Sequence, residues 1–238
     1  MKKIILFIIS LLLSSCNIKS EEVVVSASSY IVIEQSTNKI LEWYNYDEVR
    51  SVASISKIMT AIVAIENNDV NKIVIVPEEI NTVYGSSIYL MVKEEISIIQ
   101  LLYGLLLRSG NDAAITLAIA TCDDVNSFVN LMNQKAEKLG MKNTYFSNPH
   151  GLDEMDAGNL STAYDMAILY SYCMNNELFA KIVGSKSSFS YSNKNKLINN
   201  YQYCTGGKTG VAPVSTRYKS KNIHYKVMYK RDELTKIF

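Results

Sequence analysis

The chain has 238 residues, of which 48% are hydrophobic and 20% are charged. This length suits one substantial domain, and the balance is that of a globular chain rather than a disordered one. The net charge of +1 gives no basis for a nucleic-acid groove, so no nucleic-acid partner is expected. The two histidines, His150 and His224, are few for a histidine-based hydrolase or a metal site, and no metal or other cofactor is expected.

Residues 1–15 have the pattern of an export signal. Lys2 and Lys3 precede the apolar run 4–13, and two serines follow it. The run is too short to cross a bilayer as a helix. Cys16 comes next, and this arrangement resembles a bacterial lipobox, in which the cysteine is lipidated and becomes the mature N-terminus. A plain secretory signal cut near this point is the alternative.

Export determines where the protein is expected to act. A lipid on Cys16 anchors a protein to the outer face of the bacterial cytoplasmic membrane, and without the lipid the chain is secreted to the cell wall. Residues 16–22 are interpreted as a polar linker and 23–238 as the folded domain. The other cysteines are odd in number and lack ligand spacing, which favours buried apolar side chains over disulfides or a metal site. They are Cys122, Cys173 and Cys204.

The first predicted elements of the domain are a β-hairpin and a helix. The stretch 23–35 is rich in β-branched residues, 36–39 has turn composition, and 40–44 resumes an extended pattern. From Ser54 to Asn67 the apolar residues recur at helical spacing. The polar start of this segment places Ser54 near the helix N-terminus.

The middle of the chain is predicted to be helical. Helices are expected over 94–108, 112–122 and 123–139, with Gly140 ending the third. Residues 109–111 then form a tight turn between two strongly apolar helices.

Strands return towards the end of the chain. A further helix is expected to begin at Ser161 and Thr162, where Thr162 and Asp165 have capping spacing. Strands are predicted over 187–191 and 203–211. Strands at both ends around a helical middle predict an α+β fold rather than alternating βαβ units.

The first of three polar clusters is Ser54-Ile55-Ser56-Lys57. Residues three apart on a helix share a face, so the Lys57 amine can approach the Ser54 hydroxyl. The helix N-terminus adds backbone N–H groups and positive potential. Lysine acts as a base only where burial or a neighbouring cation lowers its pKa, and Lys208 is the candidate cation. The same spacing at Ser36 and Lys39 falls in the predicted hairpin turn and is attributed to chance.

The second cluster is Ser109-Gly110-Asn111, in the turn between two helices. Polar side chains at such a turn are expected to line a cleft, and a helix-capping turn is the alternative.

The third cluster is Lys208-Thr209-Gly210, on a predicted strand. There Lys208 and Thr209 can hold a substrate carboxylate, and Gly210 lets a substrate backbone approach closely. An exposed strand end is the alternative. Together the three clusters supply the groups for acyl transfer without histidine.

In this order and these contexts the clusters resemble the serine D-alanyl-D-alanine carboxypeptidases of the peptidase S11 type, the low-molecular-mass penicillin-binding proteins. The resemblance covers roughly residues 23–211, and its matching stretches are 52–60, 106–114, 146–152 and 161–167. It implies a serine β-lactamase/D,D-peptidase-like fold, with an antiparallel sheet packed against a helical cluster. It also makes 23–238 a D,D-peptidase catalytic domain.

The resemblance implies a role for each motif residue. Ser54 attacks the penultimate D-Ala carbonyl of a peptidoglycan stem peptide, Lys57 takes its proton, and Ser109 relays a proton to the departing D-Ala. The backbone N–H groups of Ser54 and Val211 form the oxyanion hole. β-Lactams acylate the same serine and act as inhibitors. The remaining residues bind the substrate, Asn111 at its amide and Lys208, Thr209 and Gly210 at its terminal carboxylate and backbone.

The C-terminal part departs from the family pattern. After Gly210 the chain continues Val-Ala-Pro-Val-Ser, and Pro213 cannot donate to a sheet ladder. One strand is expected over 223–229 and no closing strand. The C-terminal strands are therefore expected to be incomplete, and the domain to be truncated or divergent after about residue 211.

Two other functions stay open. A misplaced Lys208 strand would leave a catalytically weak penicillin- or peptidoglycan-binding lipoprotein. A β-lactamase is less favoured, because the chain has no Glu-x-x-Leu-Asn segment of the class A type. His150, between Pro149 and Gly151, is interpreted as structural.

Overall fold

The computed structural model describes residues 27–153, 158–212, 223–230 and 234–237. Its centre is a five-stranded antiparallel sheet with the strand order β2-β1-β11-β10-β9. The architecture is α+β, as predicted. The strands of this sheet are β1 (Tyr30–Ile33), β2 (Ile40–Tyr44), β9 (Cys204–Ala212), β10 (Ile223–Lys230) and β11 (Leu234–Ile237).

Short antiparallel strand pairs surround the main sheet. They join β3 (Arg50–Ser51) to β6 (Leu160–Ser161), β4 (Ile73–Ile75) to β5 (Glu95–Ser97), and β7 (Ser187–Ser188) to β8 (Tyr191–Ser192).

The helices form the second layer. A 3₁₀ turn at Ala53–Ser56 leads into α1 (Lys57–Asn67), and a π-helical turn at Gly104–Arg108 continues α2 (Ile98–Tyr103). A second 3₁₀ turn covers Glu78–Thr82. The α-helices are α1 (Lys57–Asn67), α2 (Ile98–Tyr103), α3 (Asn111–Cys122), α4 (Val125–Lys138), α5 (Ala163–Met174), α6 (Glu177–Val183) and α7 (Leu197–Asn200).

Helix α1 is the centre of the core. Every residue from Lys57 to Ala64 is buried, and α3, α4 and α5 all contact this helix. A helix buried on all sides must be apolar around most of its circumference, and 58–64 satisfies this with Thr60 as its one polar member. The Thr60 hydroxyl donates to the Pro149 carbonyl at 2.6 Å, so its burial leaves no unpaired donor.

Most predicted elements agree with the structure, but the strand predicted over 187–191 is replaced by the paired short strands β7 and β8. The hairpin is formed by β1 and β2, although 23–26 lie outside the described residues. Thr162 caps α5 by accepting from the Asp165 amide at 3.0 Å. Gly140 follows α4 with a φ of +73°, which favours glycine.

The single helix expected over 94–108 is wrong at both ends. Residues 95–97 form β5, and Ser97 starts α2 through a capping box with Gln100. The apolar periodicity of 98–108 does not distinguish an α-helix from an α-helix that widens into a π turn.

The expectation of incomplete C-terminal strands is also wrong. Strand β10 pairs with β9 from Cys204↔Lys230 to Ala212↔Ile223, and β11 pairs with both β10 and β1. A four-residue strand such as β11 gives too few alternating positions to be recognised from sequence. Pro213 lies outside the described residues, and the domain boundaries at 15, 22 and about 211 stay predictions.

No helix in the described ranges is long and apolar enough to cross a membrane.

Gly151 yields a stability prediction, because its backbone has a φ of +81° and packs against the 3₁₀ turn. A Cβ at this position would lie 2.1 Å from the Ala53 carbonyl oxygen and 2.5 Å from the Ser56 hydroxyl oxygen. Gly151→Ala is expected to lower the free energy of unfolding by at least ~2 kcal/mol, from left-handed strain and overpacking together. Denaturant unfolding measures this loss.

Gly140→Ala is the matched control. Its φ is +73°, but nothing lies within 4 Å of the added Cβ, so only the backbone strain of about 1 kcal/mol is expected. Equal losses in the two variants would contradict the packing argument.

Candidate active site

The Ser54 hydroxyl and the Lys57 amine lie together where the 3₁₀ turn becomes α1. The Lys57 Nζ is 3.2 Å from the Ser54 Oγ. Ser54 is partly exposed, whereas Lys57 is fully buried. Ala53 has a φ of +46°, an uncommon conformation for a residue with a side chain. The turn thus presents a hydroxyl to solvent with a buried amine behind it. The approach of the amine to the hydroxyl is the part that the Ser-x-x-Lys spacing predicted.

Lys57 has two further contacts, and both partners are carbonyl oxygens. Its Nζ donates to the Asn111 Oδ1 at 2.7 Å and to the His150 backbone carbonyl. Carbonyl oxygens can only accept, so they use two N–H bonds of the amine. In the unprotonated amine, the remaining lone pair is then directed towards the Ser54 hydroxyl.

The second hydroxyl belongs to Ser109, in the turn between the π turn and α3. Ser109 has a φ of +68°, and its Oγ accepts from the Lys208 Nζ at 3.0 Å. The Lys208 amine also donates to the Thr209 carbonyl at 2.5 Å. Both Ser109 and Lys208 are buried, so the second and third clusters meet inside the protein.

Strand β9 lies at one edge of the main sheet and contacts the Ser54 turn. Among the described strands, β10 is the one that pairs with it. A Cβ on Gly210 would lie 3.1 Å from the Ile55 nitrogen and 3.4 Å from the Ser54 nitrogen. Glycine therefore allows this close approach of strand to turn. Thr209 is partly exposed beside it, and Val211 follows in the same strand.

Burial and like charges lower the pKa of both lysines. Burial lowers the pKa of Lys57 to well below its usual value, with smaller effects in the same direction from Lys208 and Lys194, whereas Asp112 raises it. Burial, followed by Lys194, lowers the pKa of Lys208 to about 7. The site thus favours a free amine at Lys57 near neutral pH. Lys208 contributes as the second cation, as the sequence indicated.

His150 supplies its backbone, not its imidazole, to Lys57. Burial and the charge of Lys57 lower the pKa of the His150 ring to about 3, so the ring is neutral. Its Nδ1 accepts from the Leu152 amide at 3.2 Å. The structural interpretation of His150 agrees with this geometry, but the carbonyl contact was not predicted.

Lys194 is a charged neighbour that the sequence analysis missed. Its Nζ donates to the Ser86 hydroxyl at 3.2 Å, and its backbone N–H donates to the Leu107 carbonyl at 3.0 Å. Burial, followed by Arg108, lowers the pKa of Lys194 itself. An exposed lysine in a polar loop carries no sequence signal for such a position.

Asn111 is held by the segment 84–90, which was also missed. Its backbone N–H donates to the Ser86 carbonyl at 2.7 Å, and its Nδ2 donates to the Tyr84 carbonyl at 2.5 Å. This orientation leaves the Oδ1 for Lys57. Gly85, with a φ of +88°, lies so close that an added Cβ would be 3.3 Å from the Asn111 Nδ2.

The structure therefore brings together most of the predicted site residues. Its chemistry is that of an activated hydroxyl, a buried amine, a second hydroxyl with its own lysine, and an open strand edge. In the part of the chain that is described, no cluster of acidic, histidine or cysteine side chains could hold a metal ion. Cys16 lies outside the described residues. Those brought together are Ser54, Lys57, Ser109, Asn111 and Lys208, with Thr209, Gly210 and Val211 on the adjoining strand.

Comparison with known proteins gives a family match. A family model described as peptidase S11, D-alanyl-D-alanine carboxypeptidase, matches residues 16–217. The D-alanyl-D-alanine carboxypeptidase DacF of Bacillus subtilis is 36% identical over 206 residues, which are 81% of this chain and 52% of the relative. DacB2 of Mycobacterium tuberculosis is 32% identical over 77% of this chain and 66% of its own length. The chain thus spans between about half and two thirds of these relatives.

Solved structures share the fold. A D-alanyl-D-alanine carboxypeptidase from Mycobacterium tuberculosis superposes with a TM-score of 0.78 at 28% identity, covering 89% of this chain and 81% of that one. A mutant of the Streptomyces K15 DD-transpeptidase gives a TM-score of 0.79 at 26% identity, covering 91% and 90%. These matches confirm the predicted penicillin-binding/D,D-peptidase fold.

The charge on Lys194 yields a prediction for both site lysines. Lys194→Gln removes a positive charge, so the protonated forms of Lys208 and Lys57 become less unfavourable and both pKa values rise. The pKa of Lys208 is expected to move above its value of about 7. An NMR titration of lysine side-chain carbons measures both groups.

Lys196→Gln is the control, since this exposed lysine lies two positions further along and does not contribute to either shift. An unchanged Lys208 pKa in Lys194→Gln, or an equal shift of this pKa in Lys196→Gln, contradicts the assignment of Lys194 as a charge that acts on the site.

Proposed function

Because this chain belongs to the D-alanyl-D-alanine carboxypeptidase family of serine peptidases, peptidase S11, we propose that it removes the terminal D-Ala from peptidoglycan stem peptides. The reaction proceeds through an acyl-enzyme on Ser54. One observation carries the proposal: the Lys57 amine lies 3.2 Å from the Ser54 hydroxyl while two carbonyl oxygens occupy its other contacts. A lysine held in this way is built to accept the proton of the attacking serine.

Acylation is the first step. Ser54 attacks the penultimate D-Ala carbonyl, and its proton passes to the Lys57 amine. The carbonyl oxygen becomes an oxyanion, for which the backbone N–H groups of Ser54 and Val211 are the proposed donors. The close approach of Gly210 to the Ser54 turn supports this pairing of strand and turn.

Departure of D-Ala needs a proton on its nitrogen. Ser109 is the proposed relay, because its hydroxyl lies in the site and Lys208 donates to its oxygen at 3.0 Å. Lys208 and Thr209 bind the terminal carboxylate of the substrate, which places the departing residue beside Ser109. Water then hydrolyses the acyl-enzyme and releases the shortened peptide. A β-lactam acylates Ser54 in the same way and acts as an inhibitor.

Asn111 has a more specific role than the sequence indicated. Its Nδ2 already donates to the Tyr84 carbonyl, and its Oδ1 accepts from Lys57. A carbonyl oxygen has two lone pairs, so the Oδ1 can also accept from a substrate amide N–H. Asn111 is thus proposed to link the substrate amide to the base.

We also propose that the protein is exported and held at the outer face of the cytoplasmic membrane by a lipid on Cys16. Peptidoglycan lies outside the membrane, so a peptidase of this family must be exported to reach its substrate. The apolar run 4–13 followed by Ser-Ser-Cys supports the lipidated form over a simply secreted one.

Labelling with a fluorescent penicillin tests the catalytic serine. The wild-type protein is expected to form a covalent adduct, and Ser54→Ala to form none, because the acyl bond is made to the Ser54 oxygen. Gel fluorescence of folded protein measures the adduct. Ser36→Ala, in the turn between β1 and β2, is the matched control and should label normally. Labelling of Ser54→Ala would show that the nucleophile is wrongly assigned.

A second assay on the same protein, release of D-Ala from a pentapeptide, separates the possible activities. The proposed carboxypeptidase releases D-Ala and hydrolyses β-lactams slowly, whereas a binding lipoprotein labels without releasing D-Ala. Rapid turnover of a chromogenic cephalosporin would indicate a β-lactamase instead.

Membrane attachment is tested with Cys16→Ser in the full-length chain. The wild-type protein is expected in the membrane fraction and the variant in the soluble or secreted fraction, since a serine cannot carry the thioether-linked lipid. Fractionation with metabolic labelling by a fatty acid measures both. Equal fractionation without lipid incorporation in the wild type would favour the secretory alternative.

A further inference from the structure

Asp112, the residue directly after Asn111, has a buried carboxylate that the proposed reaction does not use. Its oxygens accept from the Ser87 hydroxyl at 2.5 Å, from the Ile88 amide at 3.0 and 3.1 Å, and from the Leu90 amide at 3.1 Å. They also accept from the Ala113 amide at 2.9 Å, within the first turn of α3. One side chain therefore accepts hydrogen bonds from three residues of the segment 84–90, at positions 87, 88 and 90.

The other half of this segment holds Asn111. The carbonyl groups of Tyr84 and Ser86 accept both the side-chain and the backbone N–H of Asn111. Asp112 thus binds one end of the segment, and the other end accepts hydrogen bonds from Asn111. Gly110 permits this arrangement, because a Cβ there would lie 2.8 Å from the Asp112 Oδ1 and 3.1 Å from the Ile88 side chain.

We propose that Asp112 is a positioning residue for the proposed reaction: its carboxylate fixes the segment 84–90, which orients Asn111 so that its Oδ1 holds Lys57 against Ser54. The proposal rests on the proposed function. In this proposal Asp112 touches neither substrate nor reacting atoms, and it acts through Asn111.

The carboxylate also affects the charge state of Lys57. The charged groups facing Lys57 are Lys208 from β9, Lys194 from the loop before α7 and Asp112 from α3, and the neutral His150 faces it from the loop 146–152. Of these, Asp112 alone favours the protonated amine. Removing its charge is expected to lower the pKa of Lys57 further, so that the free amine persists to lower pH.

Asp112→Asn tests the proposal, since the amide keeps the shape but presents N–H groups where backbone N–H groups need acceptors. The rate of acylation by a fluorescent penicillin is measured across pH. The plateau rate is expected to fall about 10- to 100-fold through misplacement of Asn111 and Lys57. The acid limb of the profile is expected to move to lower pH, which loss of packing alone would not produce.

Asp165→Asn is the matched control. Asp165 is a buried carboxylate in the first turn of α5, where it accepts from the Asn143 amide and the Thr144 hydroxyl, both at 2.8 Å. It does not contribute to the pKa shift of Lys57. This variant is expected to lose stability without moving the acid limb. Identical profiles for Asp112→Asn and Asp165→Asn would overturn the proposal.

Ser87→Ala separates the positioning effect of Asp112 from the effect of its charge. It also replaces Asp112→Asn as the test if that variant does not fold. It removes the 2.5 Å hydrogen bond to Asp112 but keeps the carboxylate. The plateau rate of acylation is expected to fall while the acid limb of the pH profile stays in place. A plateau rate equal to that of the wild-type protein overturns the positioning role.

Hydrogen exchange at the Asn111 amide gives a readout that needs no activity, because this amide donates to the Ser86 carbonyl. Faster exchange is expected in Asp112→Asn and Ser87→Ala than in Asp165→Asn. If the wild-type protein formed no penicillin adduct, the proposed function would fail, while the exchange rates would still decide the role of Asp112. An unchanged exchange rate of the Asn111 amide in both Asp112→Asn and Ser87→Ala overturns the positioning role of Asp112.

Discussion

The burial of the Lys57 amine against uncharged oxygens is the constraint on which the rest of the site depends. A buried ammonium is costly unless it is paired with a counter-charge, and here the contacts of Lys57 are a hydroxyl, an amide oxygen and a backbone carbonyl. The environment therefore selects the free amine, which has two N–H bonds for the two carbonyl oxygens and a lone pair for Ser54. Each of these acceptors comes from a different part of the fold, so the environment of the proposed base exists only when the domain is assembled.

Strand β9 contributes through its place in the sheet. It is paired along one side by β10, and no other strand of the described ranges pairs with the side beside the Ser54 turn. An edge strand can bind an extended peptide through backbone hydrogen bonds, and Gly210 allows the two backbones to come close. The pairing of β10 with β9 and of β11 with β1 therefore matters for chemistry as well as for stability, since it holds Lys208 opposite Ser109.

Motif residues were predictable from sequence because each follows a local rule. Ser54 and Lys57 share a helical face, Ser109 and Asn111 lie at an interhelical turn, and Lys208 lies on a strand two residues before Gly210. The supporting groups follow no such rule. The His150 carbonyl, Lys194 and the segment 84–90 reach the site through tertiary packing, and a backbone carbonyl has no residue-type signature at all. The closing strand β11 escaped recognition for a different reason, because four residues are too short for an alternating pattern.

The two site lysines differ in partners, and this difference gives them different tasks. Lys57 is surrounded by acceptors that suit a free amine, with its pKa well below the usual value. Lys208 donates to the Ser109 hydroxyl and the Thr209 carbonyl, with a pKa of about 7, so it stands close to the balance between its charged and neutral forms. A carboxylate arriving at β9 stabilises the charged form, so binding of an anionic substrate and protonation of Lys208 are coupled. The same positive charge opposes protonation of Lys57. In the proposed reaction, recognition of the substrate carboxylate and maintenance of the Lys57 free amine thus depend on the same Lys208 charge, and this dependence requires Lys208 and Lys57 to lie in the same cleft.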